Sequence, residues 1–117
     1  MTDRSASVSE RFSTVFDDEA VAVTNQEILQ LLPHRGPAVK IDSAIFYENE
    51  KKIVAARKIT SADRDLEGHF PENPILPGYS MIESANLAAV VLVKKLYPEM
   101  KSLLPLSTHV NMEFRRV

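Results

Sequence analysis

The sequence predicts an α+β fold in which a long central helix is wrapped by a curved antiparallel β-sheet. The longest helical segment, Gly78 to Tyr97, is apolar on nearly all sides until the lysines near its end. Such a helix is expected to be buried on nearly all sides. Runs typical of β-strands stand before and after this helix in the chain, so a sheet is the simplest layer that could cover it.

The N-terminal part of the chain is expected to contain a leader and a short helix. Residues 1–23 are polar and weakly patterned, so we place the folded domain at residues 24–117. Thr24 and Glu27 have the spacing of a capping box, in which each side chain satisfies the backbone amide of the other residue. The spacing predicts a helix from Asn25 to Leu32, which Pro33 ends because the residue before proline avoids helical geometry.

The remaining elements follow from turn signals and hydrophobic periodicity. Two β-like runs, Ala38–Tyr47 and Lys52–Thr60, are separated by a short polar stretch and predict a hairpin. Ser61–Pro77 is expected to be a loop, and Gly78–Tyr97 the long helix. The last run, Leu106–Val117, alternates apolar and polar residues as a half-buried strand does.

Composition excludes several classes of function. The 117 residues carry a net charge of −2 with Lys and Arg dispersed among acids, which argues against nucleic-acid binding. The longest apolar run, Leu87–Val93, is far shorter than the roughly 20 residues needed to cross a bilayer. No secretory signal is evident, so a cytoplasmic location is expected. With no cysteine and three scattered histidines, we expect no metal site and no cofactor.

The stretch GHFPENPILPGYSMIESA, residues 68–85, holds the candidate chemistry. Its three prolines recur at every third position, and each fixes φ near −65°. The segment between them is therefore expected to be extended and stiff, which would hold His69 at a defined distance from the start of the long helix. The prolines are Pro71, Pro74 and Pro77.

Two further residues of this stretch suit the same chemistry. Gly78 begins the helix, where free amides and the helix dipole attract an oxygen that becomes negative during reaction. Glu83 lies among apolar neighbours, and its burial would raise its pKa and let it hold a proton near neutral pH. A base at His69, an oxyanion donor at Gly78 and an acid at Glu83 form the set that β-elimination from a carbonyl compound requires.

The segments LLPHRGPAVKID and GHFPENPILPGYSMIES together resemble the 3-hydroxyacyl-acyl-carrier-protein dehydratases, which have the hot-dog fold. The resemblance implies that His69 is the catalytic histidine and Glu83 the catalytic acid. It also implies that the Gly78 amide polarises the thioester carbonyl, with substrate contacts at Tyr79 and Phe70. The implied substrate is a 3-hydroxyacyl chain on acyl carrier protein, in fatty-acid or polyketide synthesis. The implied assembly is a homodimer or larger oligomer with an active site shared between subunits.

The chain departs from this family at three points. Leu87 stands where a glutamine usually supports the acid, and Tyr79 stands where a small aliphatic residue is usual. The sequence also stops at Val117, where the family continues through further strands, so a domain truncated at its C-terminus is expected.

Two alternatives remain open, a hot-dog thioesterase and a non-catalytic acyl-binding or assembly subunit. The other histidines, His34 and His109, are expected to be structural.

Overall fold

The computed structural model describes residues 19–116, which form one three-stranded sheet and two α-helices. In chain order these elements are β1 (Ala20–Val23), α1 (Asn25–Leu31), β2 (Ser43–Tyr47), β3 (Lys52–Ala56) and α2 (Gly78–Leu96). Short 3₁₀ turns lie at Gly36–Ala38, Arg64–Leu66 and Pro98–Met100. This content confirms the α+β prediction.

Helix α1 begins where the sequence predicts. The Glu27 amide donates to the Thr24 hydroxyl at 3.2 Å, which is one half of the predicted capping box. The Glu27 carboxylate does not return to Thr24 but pairs with Lys95 of α2 at 2.7 Å. The first turn of α1 is therefore tied both to its own cap and to the far end of the long helix.

The sheet is antiparallel, with β2 between β1 and β3. Ala20 lies opposite Tyr47 in the β1–β2 pair, and Ser43 lies opposite Ala56 in the β2–β3 pair. The predicted hairpin is confirmed, with a turn in which the Lys51 amide donates to the Glu48 carbonyl at 3.1 Å. As the central strand, β2 has both neighbours it needs for its backbone hydrogen bonds.

One apolar core lies between the sheet, α1 and the C-terminal half of α2. The two most deeply buried contributors from the helices are Ile28 and Val91, both 0% exposed. Burial of each such side chain stabilises the fold by about 1.5 to 3 kcal/mol. The other core residues are Val23, Leu31, Leu32, Ile41, Ala44, Phe46, Leu87 and Val90.

Both strands of the predicted hairpin are shorter than expected. β2 begins at Ser43, the first residue that pairs with β3, where it lies opposite Ala56. β3 ends at Ala56 because its pairing with β2 ends there, and the side chain of the next residue, Arg57, enters a polar cluster near α2. Residues beyond Ala56 therefore leave the sheet.

The predicted last strand, Leu106–Val117, does not form within the described residues. Residues 106–116 have no regular structure, and the apolar side chains of Leu106, Val110 and Phe114 are exposed. A strand needs a neighbour to satisfy its backbone groups, and neither edge of the described sheet pairs with this segment. That prediction is therefore wrong for this chain.

Two other expectations need correction. The end of the predicted leader of residues 1–23 forms β1, because the apolar residues Ala20–Val23 pair with β2, while residues 1–18 lie outside the described part. The long helix is also not covered on all sides. Tyr79, Met81 and Ala85 are exposed, because the sheet and α1 pack on only one side of α2 within residues 19–116.

Candidate active site

Backbone hydrogen bonds hold His69 within the loop that leads to α2. The His69 amide donates to the Leu66 carbonyl at 3.1 Å, and the Ile75 amide donates to the His69 carbonyl at 2.7 Å. Gly68 precedes the histidine with φ of +75°, a conformation that residues with a side chain rarely adopt. The loop is less extended than predicted, because Phe70 and Asn73 exchange backbone hydrogen bonds and close a turn.

The contact of the His69 ring defines which nitrogen can act as a base. Its Nδ1 lies 2.8 Å from the Ile75 carbonyl oxygen. Because a carbonyl can only accept a hydrogen bond, Nδ1 carries the proton and Nε2 of the neutral ring is the acceptor. The ring is partly buried and stacks on Phe70 with centroids 4.5 Å apart.

The start of α2 is open on one side and covered on the other. Gly78 is the first residue of the helix, and a Cβ built on it would lie 2.9 Å from Cζ of Phe114. The aromatic ring of the C-terminal segment therefore fills the space beside the glycine. Tyr79 and Phe70, the predicted substrate contacts, are both more than half exposed.

Glu83 borders a cavity of about 310 Å³ that it shares with four other residues. Its side chain is 50% exposed, and its carboxylate lies 3.5 Å from the ammonium of Lys40. The predicted burial of Glu83 is wrong for the described chain, because its face of α2, which also carries Tyr79, has no covering layer there. The other lining residues are His34, Ala38, Asn86 and Leu87.

His34 was expected to be structural, but it also borders this cavity. Its Nδ1 is buried and has no hydrogen-bond partner within the described residues. The backbone around it is fixed by Arg35, whose guanidinium donates to the Leu32 and His34 carbonyls at 2.7 and 2.6 Å. His34 is therefore a lining residue of the Glu83 cavity, while its Nδ1 is itself buried.

The two candidate catalytic residues do not meet within one chain. In residues 19–116, no hydrogen bond or ion pair joins His69 to Glu83. His69 is bound to the loop before α2, and Glu83 faces the cavity beside Lys40. His69 and Glu83 of one chain thus have different neighbours and do not contact each other in the described residues.

A cluster of charged and hydroxyl side chains, which the sequence analysis did not identify, joins the loop to α2. We call it the Arg57 cluster. Arg57 contacts Asp63 at 2.9 Å and Asp65 at 3.2 Å. It also donates to the Ser80 hydroxyl at 2.6 Å and to the Ser84 hydroxyl at 3.2 Å. The cluster comprises Lys40, Arg57, Asp63, Asp65, Ser80 and Ser84.

Asp65 is the most heavily bonded member of the cluster. It pairs with Lys40 at 2.6 Å and also accepts from Ser80 and Arg57. The hydrogen bond from Lys40, then that from Ser80 and that from Arg57, lower the pKa of Asp65 from 3.8 to about 2, against the opposing effect of burial. Asp65 is therefore a carboxylate at any pH near neutrality.

The available sequence signals for this cluster were weak but present. Lys40 interrupts the apolar run before β2, and Ser80 and Ser84 stand four residues apart within an otherwise apolar part of α2. Each is a polar residue at a position where burial is expected, and such residues need partners. Their partners in other segments of the cluster lie 15 to 44 residues away along the chain, beyond any local pattern.

The described part of the chain contains neither a metal-binding cluster nor a membrane-spanning helix. Within residues 19–116, no group of three or more His, Cys, Asp or Glu side chains is arranged to hold a metal ion. No helix described there has the length and apolar character needed to cross a membrane.

Comparison with known proteins identifies close relatives. The chain is 42% identical over 74 residues to the 3-hydroxyacyl-[acyl-carrier-protein] dehydratase FabZ of Ruminiclostridium cellulolyticum, covering 63% of this chain and 52% of the relative. It is 35% identical over 98 residues to FabZ of Rickettsia typhi, covering 83% and 66%. FabZ of Chlamydia caviae is 43% identical over 76 residues, covering 64% and 49%.

The matched part of the chain includes both candidate residues and the Arg57 cluster. The chain spans between about half and two thirds of the length of these curated relatives. Residues 32–117 match the FabA-like domain. This match covers most of the sequence and all of α2, β2 and β3, so the chain belongs to the FabA-like family and has the hot-dog fold that its sequence predicts.

Proposed function

We propose that this chain carries the catalytic residues of a dehydratase that converts a 3-hydroxyacyl thioester on acyl carrier protein into the trans-2-enoyl thioester. The family membership and the names of the FabZ relatives support this proposal. The reaction would serve fatty-acid or polyketide synthesis, and the enzyme would be a lyase. A cytoplasmic location and the absence of a cofactor stay predictions.

The hydrogen bond between His69 and the Ile75 carbonyl is the observation that carries the proposal. It leaves Nε2 of the neutral imidazole free to accept a proton. In the proposed reaction, Nε2 takes the proton from C2, and the electron pair of that bond is shared with the thioester carbonyl oxygen. This pair then forms the C2=C3 double bond as the bond between C3 and oxygen breaks. Protonated Glu83 gives its proton to the departing hydroxyl, which leaves as water.

The start of α2 would bind the thioester carbonyl. Negative charge develops on this oxygen when C2 loses its proton, and the free amide at Gly78 together with the helix dipole would stabilise that charge. Tyr79 and Phe70 are exposed beside this position and would contact the acyl carrier arm or the acyl chain. The Phe114 ring must move aside for a substrate to approach Gly78 closely.

We further propose that the active protein is at least a homodimer. Within one chain, His69 and Glu83 have no contact in the described residues. A second copy could bring its Glu83 to the first copy's His69 and cover the exposed face of α2 that carries Tyr79 and Glu83. Light scattering across a dilution series tests this, and a monomer at all active concentrations would contradict it.

The decisive experiment mixes the purified chain with a 3-hydroxyacyl thioester and follows the ultraviolet absorbance of the conjugated enoyl product. We expect His69→Ala and Glu83→Gln each to reduce the rate by on the order of a hundredfold or more, as removal of a general base or acid does. His109→Ala is the matched control, since His109 is an exposed histidine in the C-terminal segment. Retention of more than about a tenth of the rate in His69→Ala would contradict the assignment.

One alternative has an observation in its favour. The exposed Glu83 and the Phe114 ring beside Gly78 would also suit a non-catalytic acyl-binding or assembly subunit. The same assay separates these functions. A dehydratase gives the enoyl thioester, a thioesterase gives free acid and thiol, and a binding subunit leaves the thioester unchanged.

A further inference from the structure

Lys40 is a buried lysine in the middle of the candidate site. It is 8% exposed, although lysine is among the residues most rarely buried without a partner. Its ammonium contacts the Pro37 carbonyl at 3.1 Å, the Asp65 carboxylate at 2.6 Å and the Glu83 carboxylate at 3.5 Å. It is thus the cation that lies between the Arg57 cluster and the candidate acid.

Both the backbone and the ammonium group of Lys40 are held in place relative to α2. Its carbonyl oxygen accepts a hydrogen bond from the Ser84 hydroxyl at 2.7 Å, and Ser84 directly follows Glu83 on the helix. Its ammonium is held by Asp65, which is itself bound by Arg57 and Ser80. A lysine anchored in this way presents its charge from a defined place, because its flexible stem cannot reorient without breaking buried contacts.

Lys40 is shared between the carboxylates of Asp65 and Glu83. The Arg57 cluster and Glu83 together contain three carboxylates, those of Asp63, Asp65 and Glu83, but only two cations, those of Lys40 and Arg57. Asp65 contacts both cations, and Asp63 contacts Arg57. Lys40 is therefore the one cation of this group in contact with Glu83.

Glu83 needs such a partner to have a defined position. Its side chain is half exposed, and a glutamate with that freedom samples several rotamers in water. The other polar groups that border its cavity are His34 and Asn86, neither of which carries a carboxylate. A fixed cation at 3.5 Å favours the rotamers that keep the carboxylate beside Lys40.

We infer that Lys40 is a positioning residue for Glu83 in the proposed dehydration, an inference that rests on the proposed function. Lys40 holds the Glu83 carboxylate close to its own ammonium and so restricts the rotamers of this cavity-lining residue. It also stabilises the carboxylate that remains after Glu83 has given its proton to the departing hydroxyl. The role belongs to the chemical step, so it should affect kcat more than substrate binding.

The first test compares two buried lysines. Lys40→Met replaces the cation by an apolar side chain of similar length, and Lys94→Met makes the same change at a lysine that donates to the Leu31 carbonyl, away from Glu83. For Lys40→Met we expect kcat to fall about tenfold or more with KM changed by less than about threefold. Lys94→Met should leave both constants of the folded protein within about threefold.

A double-mutant cycle separates positioning from a structural role. If Lys40 acts through Glu83, then Lys40→Met should change the residual rate of Glu83→Gln by less than about twofold, because interacting residues are not additive. If it only supports the fold, the two losses should multiply. Multiplicative losses, or a Lys40→Met variant with kcat within about twofold of the unmodified chain, would overturn the inference.

Cross-linking tests the contact without relying on activity or on a folded variant. A water-soluble carbodiimide joins a carboxylate and an amine that touch, with loss of water, and peptide mass spectrometry then identifies the pair. We expect a Lys40–Glu83 link in the unmodified chain beside a Lys40–Asp65 link. A Lys40–Asp65 link alone would overturn the inference. A Lys40–Glu83 link in a chain that makes no enoyl product would refute the proposed dehydratase while the pairing stands.

Discussion

The two halves of α2 are attached to the rest of the protein by different forces. The C-terminal half, from Leu87 onward, buries Val90 and Val91 in the apolar core against the sheet and α1. The N-terminal half instead buries the Ser80 hydroxyl, which bonds to Arg57 and Asp65. One helix is therefore held at one end by apolar burial and at the other by hydrogen bonds and ion pairs.

This difference coincides with the location of the candidate chemistry. Apolar burial stabilises a helix but is not directional, so it tolerates small shifts. Hydrogen bonds to charged groups are directional and fix distances within a few tenths of an ångström. Gly78 and Glu83 lie in the half of the helix that has such bonds, where their positions relative to the loop can be held most closely.

The largest effect on stability is expected from Asp65→Ala. The substitution leaves Lys40 and Arg57 without their shared carboxylate, and removal of one partner from a buried ion pair typically costs about 3 kcal/mol or more. Urea unfolding should show this loss, and the rate of the proposed dehydration should fall with it. Glu48→Ala, at an exposed position, is the control. A loss below about 1 kcal/mol would mean that the cluster contributes little to the attachment of α2.

Acid should weaken the polar end of the helix through the same carboxylate. The pKa of Asp65 in the folded chain is about 2, below its ordinary value of 3.8. The stability that this group contributes is therefore present above about pH 4 and is lost as the pH falls toward about 2. Asp65→Asn cannot titrate, so its urea midpoint should fall less than that of the unmodified chain over this range. If the urea midpoints of the two proteins fell in parallel with pH, the lowered pKa of Asp65 would be contradicted.

A substitution in the apolar C-terminal half of α2 should lower the free energy of unfolding but leave kcat unchanged. Val91 is 0% exposed, and Val91→Ala removes two buried methyl groups and leaves a cavity, for a cost of about 2 kcal/mol. The kcat of the folded variant should stay within about twofold of the unmodified value. Val21→Ala, at a half-exposed position, should change neither quantity. A large fall in kcat for Val91→Ala would show that the core also positions the site.

The smallest effect on stability, below about 1 kcal/mol, is expected from Gly78→Ala. The new methyl group would press on Cζ of Phe114, but that ring is 50% exposed and can shift. Dehydratase activity should nevertheless fall about tenfold or more, if the thioester must approach this backbone closely. The double variant Gly78→Ala/Phe114→Leu removes the ring, and recovery of the rate there would assign the loss to the ring and not to the glycine.

The helices and the loop could be predicted because their signals are local. Thr24 caps α1, and the predicted long helix differs by one residue from the observed Gly78–Leu96. The predicted strand ends were less accurate. β3 ends at Ala56, and the Arg57 side chain that follows binds residues more than twenty positions away along the chain. Leu106 to Phe114 has the alternation of a strand, but alternation does not supply a neighbouring strand.

The sequence predicted which residues form the candidate site but not how they are arranged in space. The sequence indicated His69, Gly78 and Glu83, yet it could not show that Ile75 binds the imidazole or that Phe114 lies on Gly78. It predicted burial for Glu83 from apolar neighbours in sequence, whereas burial depends on what packs against the helix face. The Arg57 cluster escaped prediction because its partners come together only in the folded chain.

The hydrogen bond between His69 and the Ile75 carbonyl has a consequence for the proposed proton transfer. When Nε2 gains a proton, Nδ1 keeps its own, so the imidazolium still donates to the same carbonyl oxygen, and more strongly because it is charged. The ring can therefore alternate between its neutral and cationic forms without rotating about its side-chain bonds. In the proposed dehydration, a base that keeps its position in this way would add little reorganisation to the proton transfer.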